Sequence, residues 1–226
     1  MKNKLISVIM GAYNAETSVQ NSVESILEQS YNNIELLVLD DGSNDKTYEI
    51  CKSIKDERLK IYKNNDNIGL TKSLNKLISF TEGEFIARQD ADDISRKYRL
   101  EKQMEHLLAK DLDACTTRAE ILNSSKKIPG FSYYLPTKIA MMYKNPYIHG
   151  TLLIRKNVLV EMNYYHESFY YAQDYKLMSD LIKKQKKIEI MRDDLYILNM
   201  SNNISNLKKE EQKYFAECVR KNISPL

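Results

Sequence analysis

The amino-acid sequence is short of the residues on which several classes of protein depend. It has no tryptophan and only three cysteines, Cys51, Cys115 and Cys218. An odd number of cysteines without a Cys-x-x-Cys spacing predicts reduced thiols rather than a disulfide framework. No uninterrupted apolar run approaches the roughly 20 residues that a membrane-spanning helix requires. We therefore expect a cytoplasmic protein whose contact with a membrane is at most peripheral.

Motifs for several common ligands are also absent. The three histidines, His106, His149 and His166, are too scattered for a zinc cluster. The chain contains neither G-x-G-x-x-G nor a P-loop pattern, so dinucleotide binding and P-loop phosphate binding are unsupported. Its 34 basic and 31 acidic residues give a net charge of +3, and the basic residues cluster only near the C terminus. This balance does not indicate a nucleic-acid partner.

Apolar runs of strand length alternate with apolar stripes of helical spacing through the first 95 residues. Residues 5–10 are apolar, rich in β-branched side chains and closed by Gly11, as is typical of a buried strand. Val19, Val23 and Ile26 then recur on one side of a helix. Further strands are predicted at residues 34–39, 59–62 and 84–87. This alternation predicts an α/β fold with a parallel sheet and helices on both faces.

The pattern weakens after Asp93. We expect a helix over residues 98–109, a short strand over 114–117, a loop over 123–135 and a strand over 151–154. A tyrosine-rich loop at 164–171 precedes a helix over 174–184. A basic amphipathic helix is expected over 207–223. It either packs on the domain, which the pattern favours, or touches anionic lipid.

Three polar segments follow predicted strands, at residues 11–14, 40–43 and 90–93. Ligands of open parallel sheets bind beyond the carboxyl ends of the strands. These segments are far apart in sequence, yet the fold predicts that they converge on one edge of the sheet. We expect the functional site there.

The segment at residues 90–93 is the most acidic of the three. Asp90, Asp92 and Asp93 place three carboxylates within four residues, and their repulsion is costly unless a cation or hydrogen-bond donors neutralise it. Mg²⁺ or Mn²⁺ takes one or two protein carboxylates and completes its shell with phosphate oxygens and water. The segment therefore indicates a divalent cation with a diphosphate ligand. The alternative is a solvated acidic turn or helix cap.

Asp40 and Asp41 form a second acidic pair, followed by Gly42 and Ser43. Asp-Gly is a common turn dipeptide, so a simple turn is one interpretation. At a strand end, a carboxylate can also accept hydrogen bonds from a base imide or a ribose hydroxyl. The pair is therefore a candidate for nucleoside contact.

Taken in order, these segments resemble the family-two inverting glycosyltransferases of the GT-A fold, along nearly the whole chain. The resemblance is carried by SVIMGAYN at 7–14, SILEQSY at 25–31, DDGS at 40–43, NIG at 67–69 with Asn75, and EGEFIARQDAD at 82–92. It implies one GT-A domain over residues 1–200, with a nucleotide-sugar-binding half (1–95) and a smaller acceptor-binding half (96–200). Residues 201–226 would form a helical tail.

The resemblance also implies roles for individual residues. Asp90 and Asp92 match the D-x-D motif and would hold Mn²⁺ or Mg²⁺ against the donor diphosphate, with Asp92 as the direct ligand. Asp174 would be the catalytic base, beside Gln173 where relatives usually carry Glu. His149 would line the acceptor site. The nucleotide-sugar-binding set would be Gly11, Ala12, Tyr13, Asn14, Asp40, Asp41, Lys72, Asp90, Ala91 and Asp92.

Simpler interpretations stand beside three of these roles. Asp174 could serve only as a helix N-cap, which does not exclude catalysis. His149 could be a hydrogen-bonded turn histidine, and Lys72 a solvated surface charge. The chain also has Leu198 to Ser201 where many relatives carry an Arg and a His.

The expected activity is transfer of a sugar, with inversion, from a nucleotide-sugar, specifically a UDP-sugar, to a hydroxyl of a saccharide or lipid-linked saccharide acceptor. The setting implied is synthesis of a bacterial surface polysaccharide, lipopolysaccharide or lipid-linked oligosaccharide. Two alternatives are a catalytically degenerate nucleotide-sugar-binding partner protein and a sugar-phosphate nucleotidyltransferase. The glycine-rich N-terminal loop of the latter is absent.

Overall fold

The computed structural model describes residues 4–200 and 208–225, and the structural statements below concern these residues. A curled central sheet is covered by helices on both faces. The strands are β1 (Ile6–Ala12), β2 (Ile34–Asp40), β3 (Leu59–Lys63), β4 (Phe85–Arg88), β5 (Ile94–Ser95), β6 (Ala114–Ile121), β7 (Lys127–Ile128), β8 (Leu153–Arg155) and β9 (Ile188–Leu198). The helices are α1 (Val19–Leu27), α2 (Thr47–Ser53), α3 (Leu70–Phe80), α4 (Arg99–Ala109), α5 (Thr137–Tyr143), α6 (Lys156–Glu161), α7 (Gln173–Lys183) and α8 (Lys209–Lys221).

The order of strands explains where the polar segments lie. The sheet runs β3-β2-β1-β4-β8-β6-β9-β5, with β7 paired to β6. Strands β1 to β4 are mutually parallel, whereas β8 is antiparallel to both β4 and β6. The chain moves outward from β1 to β3 and then returns to place β4 on the other side of β1. Such a reversal opens a crevice at the carboxyl ends of the strands, flanked here by the segments after β1 and β4.

Alternation along the buried strands supplies both layers of the core. Successive strand residues point to opposite faces, so Val8 and Met10 pack toward α1, α2 and α4, whereas Ile9 and Leu37 pack toward α3 and α7. This two-sided burial explains why β1 and β2 are continuously apolar rather than alternating. The predicted α/β fold is confirmed, with a sheet that is parallel from β1 to β4 and covered on both faces, whereas the second half adds antiparallel pairs.

The second half contains elements that the sequence did not indicate. Helices α5 and α6 are short, and β9 carries the charged run Arg192-Asp193-Asp194 in its middle. The pairing of β9 with β6 shifts register around Arg118, so the simple two-residue alternation that identifies a strand is broken. The predicted helices over 98–109 and 174–184 are confirmed as α4 and α7.

The basic C-terminal helix packs on the domain. In α8, Cys218 and Val219 are buried in the core and Phe215 packs against it. The apolar side that would face lipid is thereby occupied, which confirms the packed interpretation. Among the described residues, no helix combines the length and apolar character needed to cross a bilayer.

A buried carboxylate joins the bases of β1, β2 and β4. Glu35 of β2 accepts hydrogen bonds from the Ser7 hydroxyl, from the Glu82 backbone N–H at 2.6 Å and from the Lys60 ammonium at 2.8 Å. Burial alone would raise the pKa of Glu35, but these donors lower it below the ordinary value. The network fixes the turn that leads into β4.

We predict that Glu35→Gln destabilises the fold by about 1–3 kcal/mol at neutral pH, because it removes the charge that these donors stabilise. The folded-state pKa of Glu35 is depressed, so its contribution is present above the unfolded pKa and is lost as pH falls through the folded pKa. Urea unfolding at several pH values should therefore show the difference from wild type shrinking below about pH 4. A difference independent of pH would contradict this account.

Candidate active site

Backbone–side-chain hydrogen bonds tie together the loops that follow β1 and β2. Asn14 adopts a left-handed conformation with φ of 48°, its N–H donates to the Ser43 hydroxyl at 2.9 Å, and its side-chain oxygen accepts from the Asn44 N–H at 3.0 Å. Asn tolerates this conformation better than most residues. Ala12 is buried at the end of β1, whereas Tyr13 is half-exposed. The predicted nucleotide loop is thus rigid and presents Tyr13 to solvent.

The two carboxylates at the end of β2 lie in different surroundings. Asp41 accepts from the Asn64 amide at 2.8 Å, from the Ile68 N–H at 3.1 Å and from the Gly69 N–H at 2.9 Å, so it fixes the loop between β3 and α3. Asp40 is buried beside Lys63, and its Oδ2 atom has no hydrogen-bond partner among the described residues. Both acids lie at the predicted edge, and their contact with a nucleoside stays a prediction.

Asp90 is held by a guanidinium group buried beneath it. Arg88, the last residue of β4, is fully buried and donates to an Asp90 carboxylate oxygen. Its other terminal nitrogen donates to the carbonyl oxygens of Ile9 and Gln89 at 3.0 and 2.7 Å. The Arg88 side chain therefore connects β1 to the acidic turn and fixes the orientation of Asp90.

A second buried guanidinium supports the same turn. Arg99 donates to the carbonyl oxygens of Arg88 at 3.0 Å and Gly150 at 2.8 Å, and it lies over the ring of Tyr196. Burial lowers the pKa of Arg99 to about 10, which leaves it charged at neutral pH. The Tyr196 hydroxyl accepts from the Asp90 N–H at 3.1 Å. Arg99 of α4 and Tyr196 of β9 thus hold the turn at residues 90–93 in place.

The carboxylates of the turn fit a divalent cation. Asp92 is partly exposed, and burial together with the charge of Asp90 raises its pKa to about 6. Asp93 is buried, its pKa is also raised by burial and by the other two carboxylates, and it accepts from the Asn199 N–H at 2.7 Å. A cation would relieve this repulsion. Within residues 4–200 and 208–225, no three His, Cys, Asp or Glu side chains are grouped so that they could hold a metal ion. A cation bound by Asp90 and Asp92 would therefore need further ligands, such as phosphate oxygens and water.

Asp174 lies in the first turn of α7, where the helix dipole stabilises an anion. Its Oδ2 atom accepts from the Asn145 amide at 2.7 Å. Burial nevertheless raises the pKa of Asp174, and the negative charge of Asp90 adds to this effect. The predicted base and the D-x-D turn therefore interact electrostatically across one site, although 81 intervening residues separate Asp92 from Asp174.

His149 faces the same region. One of its ring nitrogens lies 2.8 Å from the Tyr165 hydroxyl, and the two rings pack edge to face. Burial, and secondarily the charge of Arg88, holds the pKa of His149 well below its ordinary value, so the ring is neutral. It can serve as a hydrogen-bonding group but carries no positive charge for a phosphate. Its predicted contact with an acceptor remains open.

Lys72 lies somewhat apart from the other predicted residues. It is exposed in the first turn of α3 and lines a cavity of about 830 Å³ together with Asn75, His166 and Lys176. Neither the D-x-D carboxylates nor Asp174 line that cavity. The structure thus brings Asp90, Asp92, Asp174 and His149 together, while the role of Lys72 in binding the donor stays a prediction.

Sequence reasoning missed the groups that support the site. Arg99 and Tyr196 reach the region of the acidic turn through tertiary contacts, and Tyr165 lies in a segment that the sequence predicts only as a loop. Arg88 lies two residues before Asp90 and pairs with it locally. One signal was available for Arg88, because an arginine inside an apolar strand must find buried partners. Gly150 is equally important, since a Cβ there would lie 2.4 Å from the Tyr196 hydroxyl oxygen and 2.7 Å from an Asp90 carboxylate oxygen.

Comparisons with known proteins show the family to which the chain is related. The family model described as glycosyl transferase family 2 matches residues 7–169. The O-antigen biosynthesis glycosyltransferase WbnJ of Escherichia coli is 31% identical over 95% of this chain and 86% of its own length. The Escherichia coli enzyme named UDP-Glc:alpha-D-GlcNAc-diphosphoundecaprenol beta-1,3-glucosyltransferase WfgD is 32% identical over 81% of this chain and 72% of its own length.

Another relative, an uncharacterized glycosyltransferase of Haemophilus influenzae, is 35% identical over 78% of this chain, which spans 60% of that relative's length. Among solved structures, residues 1–349 of Staphylococcus aureus TarS in complex with UDP superpose with a TM-score of 0.77 and 21% identity, over 98% of this chain and 66% of that one. A Pyrobaculum calidifontis mannosyltransferase in complex with GDP-Man and Mn²⁺ gives a TM-score of 0.74 at 16% identity, over 97% and 65% of the two chains. These similarities confirm the GT-A fold.

We predict that Gly150→Ala displaces Asp90 and weakens Mn²⁺ binding, with a loss of stability of about 1–3 kcal/mol from overpacking. Calorimetry with Mn²⁺ and thermal unfolding measure the two effects. Gly130→Ala is the control, because a Cβ there meets no atom within 4 Å. Equal Mn²⁺ affinity of the Gly150→Ala protein and wild type would contradict the assignment of Asp90 to the cation.

Proposed function

The chain belongs to glycosyltransferase family 2, and from this premise we propose that it is an inverting enzyme using a UDP-sugar and a divalent cation. Its relatives include enzymes of O-antigen biosynthesis and an enzyme named for a diphosphoundecaprenol-linked substrate. The observation that supports the proposal is that Asp174 and Asp90 are near enough to interact: burial raises the pKa of Asp174, and the charge of Asp90 adds to this effect. We propose that the acceptor is a saccharide, free or lipid-linked.

The proposed reaction is a single displacement at the anomeric carbon. The acceptor hydroxyl gives its proton to the Asp174 carboxylate as its oxygen bonds to the anomeric carbon, and the bond from that carbon to the UDP phosphate oxygen breaks. A cation held by Asp92 and Asp90 would offset the negative charge that grows on the departing diphosphate. A base on the opposite face of the sugar from the leaving group gives inversion.

Neighbouring residues give Asp90 and Asp174 different surroundings, which suit Asp90 to the cation and Asp174 to proton transfer. Arg88 neutralises one Asp90 oxygen and orients the turn toward the diphosphate. A raised pKa brings Asp174 nearer to the working pH, where a general base is most effective. The neutral Gln173 adds no second charge beside it. His149, held by a hydrogen bond to the buried Tyr165, offers an uncharged group that an acceptor sugar could contact.

Binding and transfer should separate in two variants. We predict that Asp92→Ala loses Mn²⁺-dependent binding of UDP by about 100-fold or more, because even outer-shell changes at metal sites cost 10- to 100-fold. Asp174→Asn should keep that binding and lose about 100- to 10,000-fold in transfer, the usual contribution of a general base. Calorimetry with UDP and UDP-sugars, with Mn²⁺ and then with chelator, measures the first effect, and UDP release the second.

Asp193→Asn is the control, since Asp193 is exposed and pairs with Lys102 away from the turn. Normal transfer by the Asp174→Asn protein would exclude Asp174 as the base. Mn²⁺-dependent binding of a UDP-sugar without hydrolysis or transfer would favour the degenerate binding protein. Release of pyrophosphate would identify a nucleotidyltransferase.

The hydrogen bond from Asn145 gives a pH test of the base. This bond stabilises the charged form of Asp174, so its removal in Asn145→Ala should raise the pKa of Asp174 further. The active species is the carboxylate, so the acidic limb of the kcat/KM profile should move to higher pH while the high-pH plateau remains. Asn157→Ala, an exposed change on α6, should leave the limb in place. An unmoved limb in Asn145→Ala would show that another group limits the rate.

A further inference from the structure

The middle of the chain has an unusual distribution of charge. Between Glu120 and Glu161 the sequence contains no Asp or Glu, although the whole chain has 31 acidic residues. The same stretch contains six Lys or Arg. The stretch itself therefore carries an excess of positive charge, although Lys127 and Arg155 pair with Asp194 and Asp111 from outside it.

Large apolar side chains are exposed within this stretch. The exposed fractions are 79% for Phe131, 74% for Tyr134, 67% for Met142 and 72% for Tyr143. These four exceed every other large apolar residue in the described part of the chain, where the next is near 53%. Exposed aromatic residues clustered in 13 consecutive positions mark an interaction site rather than the scattered exposure normal for a surface.

Basic side chains lie among these apolar residues. Lys138 and Lys144 are exposed, and no ion-pair partner for either is found in residues 4–200 and 208–225. The apolar residues and the two lysines together form what we call the aromatic-basic surface: Phe131, Tyr134, Lys138, Met142, Tyr143 and Lys144. A shallow pocket of about 270 Å³ lies in this surface between Phe131, Leu135 and Tyr143.

We propose that the aromatic-basic surface is a docking site for a bilayer that contains anionic phospholipid. Aromatic rings concentrate at the membrane–water boundary, where an apolar body meets a polar environment, and lysines around them attract anionic headgroups. The surface offers both features and no acidic residue that would repel lipid phosphate. The C-terminal helix cannot provide this contact through its apolar side, because Phe215, Cys218 and Val219 pack in the protein.

The surface adjoins the proposed base. Asn145, which donates to Asp174, follows Lys144 directly, and the Tyr175 hydroxyl of α7 donates to the Met141 carbonyl oxygen of α5. Docking through α5 would therefore set the acceptor side of the site next to the headgroup layer. The significance of this orientation rests on the proposed function, because it matters only for a lipid-linked acceptor. The binding of vesicles does not depend on the proposed function.

The absence of tryptophan permits a direct test. Phe131→Trp and Tyr143→Trp each place one tryptophan in the surface, and Tyr98→Trp places one at a 53% exposed position outside the acid-free stretch. With vesicles of phosphatidylcholine and phosphatidylglycerol, emission of the first two proteins should shift to shorter wavelength and be quenched by brominated lipid. The Tyr98→Trp protein should show neither effect.

Charge is tested separately in vesicle sedimentation. Lys138→Gln with Lys144→Gln should weaken binding by about 30-fold, since each lysine near an anionic surface contributes a factor of about five. The matched control is Lys46→Gln with Lys55→Gln, two exposed lysines outside the stretch, which should bind as wild type. Circular dichroism confirms that each variant is folded.

Several outcomes would overturn the proposal. One is the absence of an emission shift with any vesicle, and another is an equal shift for the Tyr98→Trp protein. Equal binding of neutral and anionic vesicles would also contradict it. A shift caused by soluble oligosaccharide but not by vesicles would make the surface a saccharide-binding site instead. UDP binding is measured on the same proteins without lipid. Vesicle binding without UDP binding would defeat the proposed function alone, and UDP binding without vesicle binding would defeat only this inference.

Discussion

The ion pair between the buried Arg88 and the partly exposed Asp90 is the interaction on which the arrangement of the site depends. Removing a guanidinium from water is costly, and its cost is recovered only where carboxylate and carbonyl oxygens are placed to accept its hydrogens. Asp90 and the carbonyl oxygens of Ile9 and Gln89 do so here. Because these acceptors come from β1 and from the turn after β4, the pair fixes the two sides of the crevice relative to each other.

The second half of the chain completes the site through a small number of polar contacts. Asn75 of α3 donates to the Tyr165 carbonyl oxygen at 2.9 Å and accepts from the Tyr165 N–H at 3.0 Å. Thr71 donates to the Phe169 carbonyl oxygen at 3.0 Å. These bonds hold the tyrosine-rich segment against the first half, and that segment leads directly into α7 and Asp174. The position of the base is thus set by α3 as well as by its own helix.

Two kinds of surface meet near α5. On one side lies a polar site where carboxylates, a neutral histidine and buried arginines create a field suited to a cation and a diphosphate. On the other side lies a basic, aromatic face without acidic residues. The same short helix contributes to both, since its C-terminal end leads to Asn145. Under the proposed function, this proximity would place the site beside the membrane that carries a lipid-linked acceptor.

Local sequence patterns account for the first half of the fold and for the residues of the acidic turn. Continuous apolar strands, amphipathic helices and polar segments at strand ends are local patterns, and their order sufficed to predict a crevice at residues 11–14, 40–43 and 90–93. The proposed role of Asp174 as the base rests on resemblance and not on spacing. The groups that surround these residues follow from tertiary packing, because Arg99, Gly150 and Tyr196 approach the turn from three separate elements. No local periodicity encodes such contacts, since they depend on how β9 and α4 pack beneath the sheet edge.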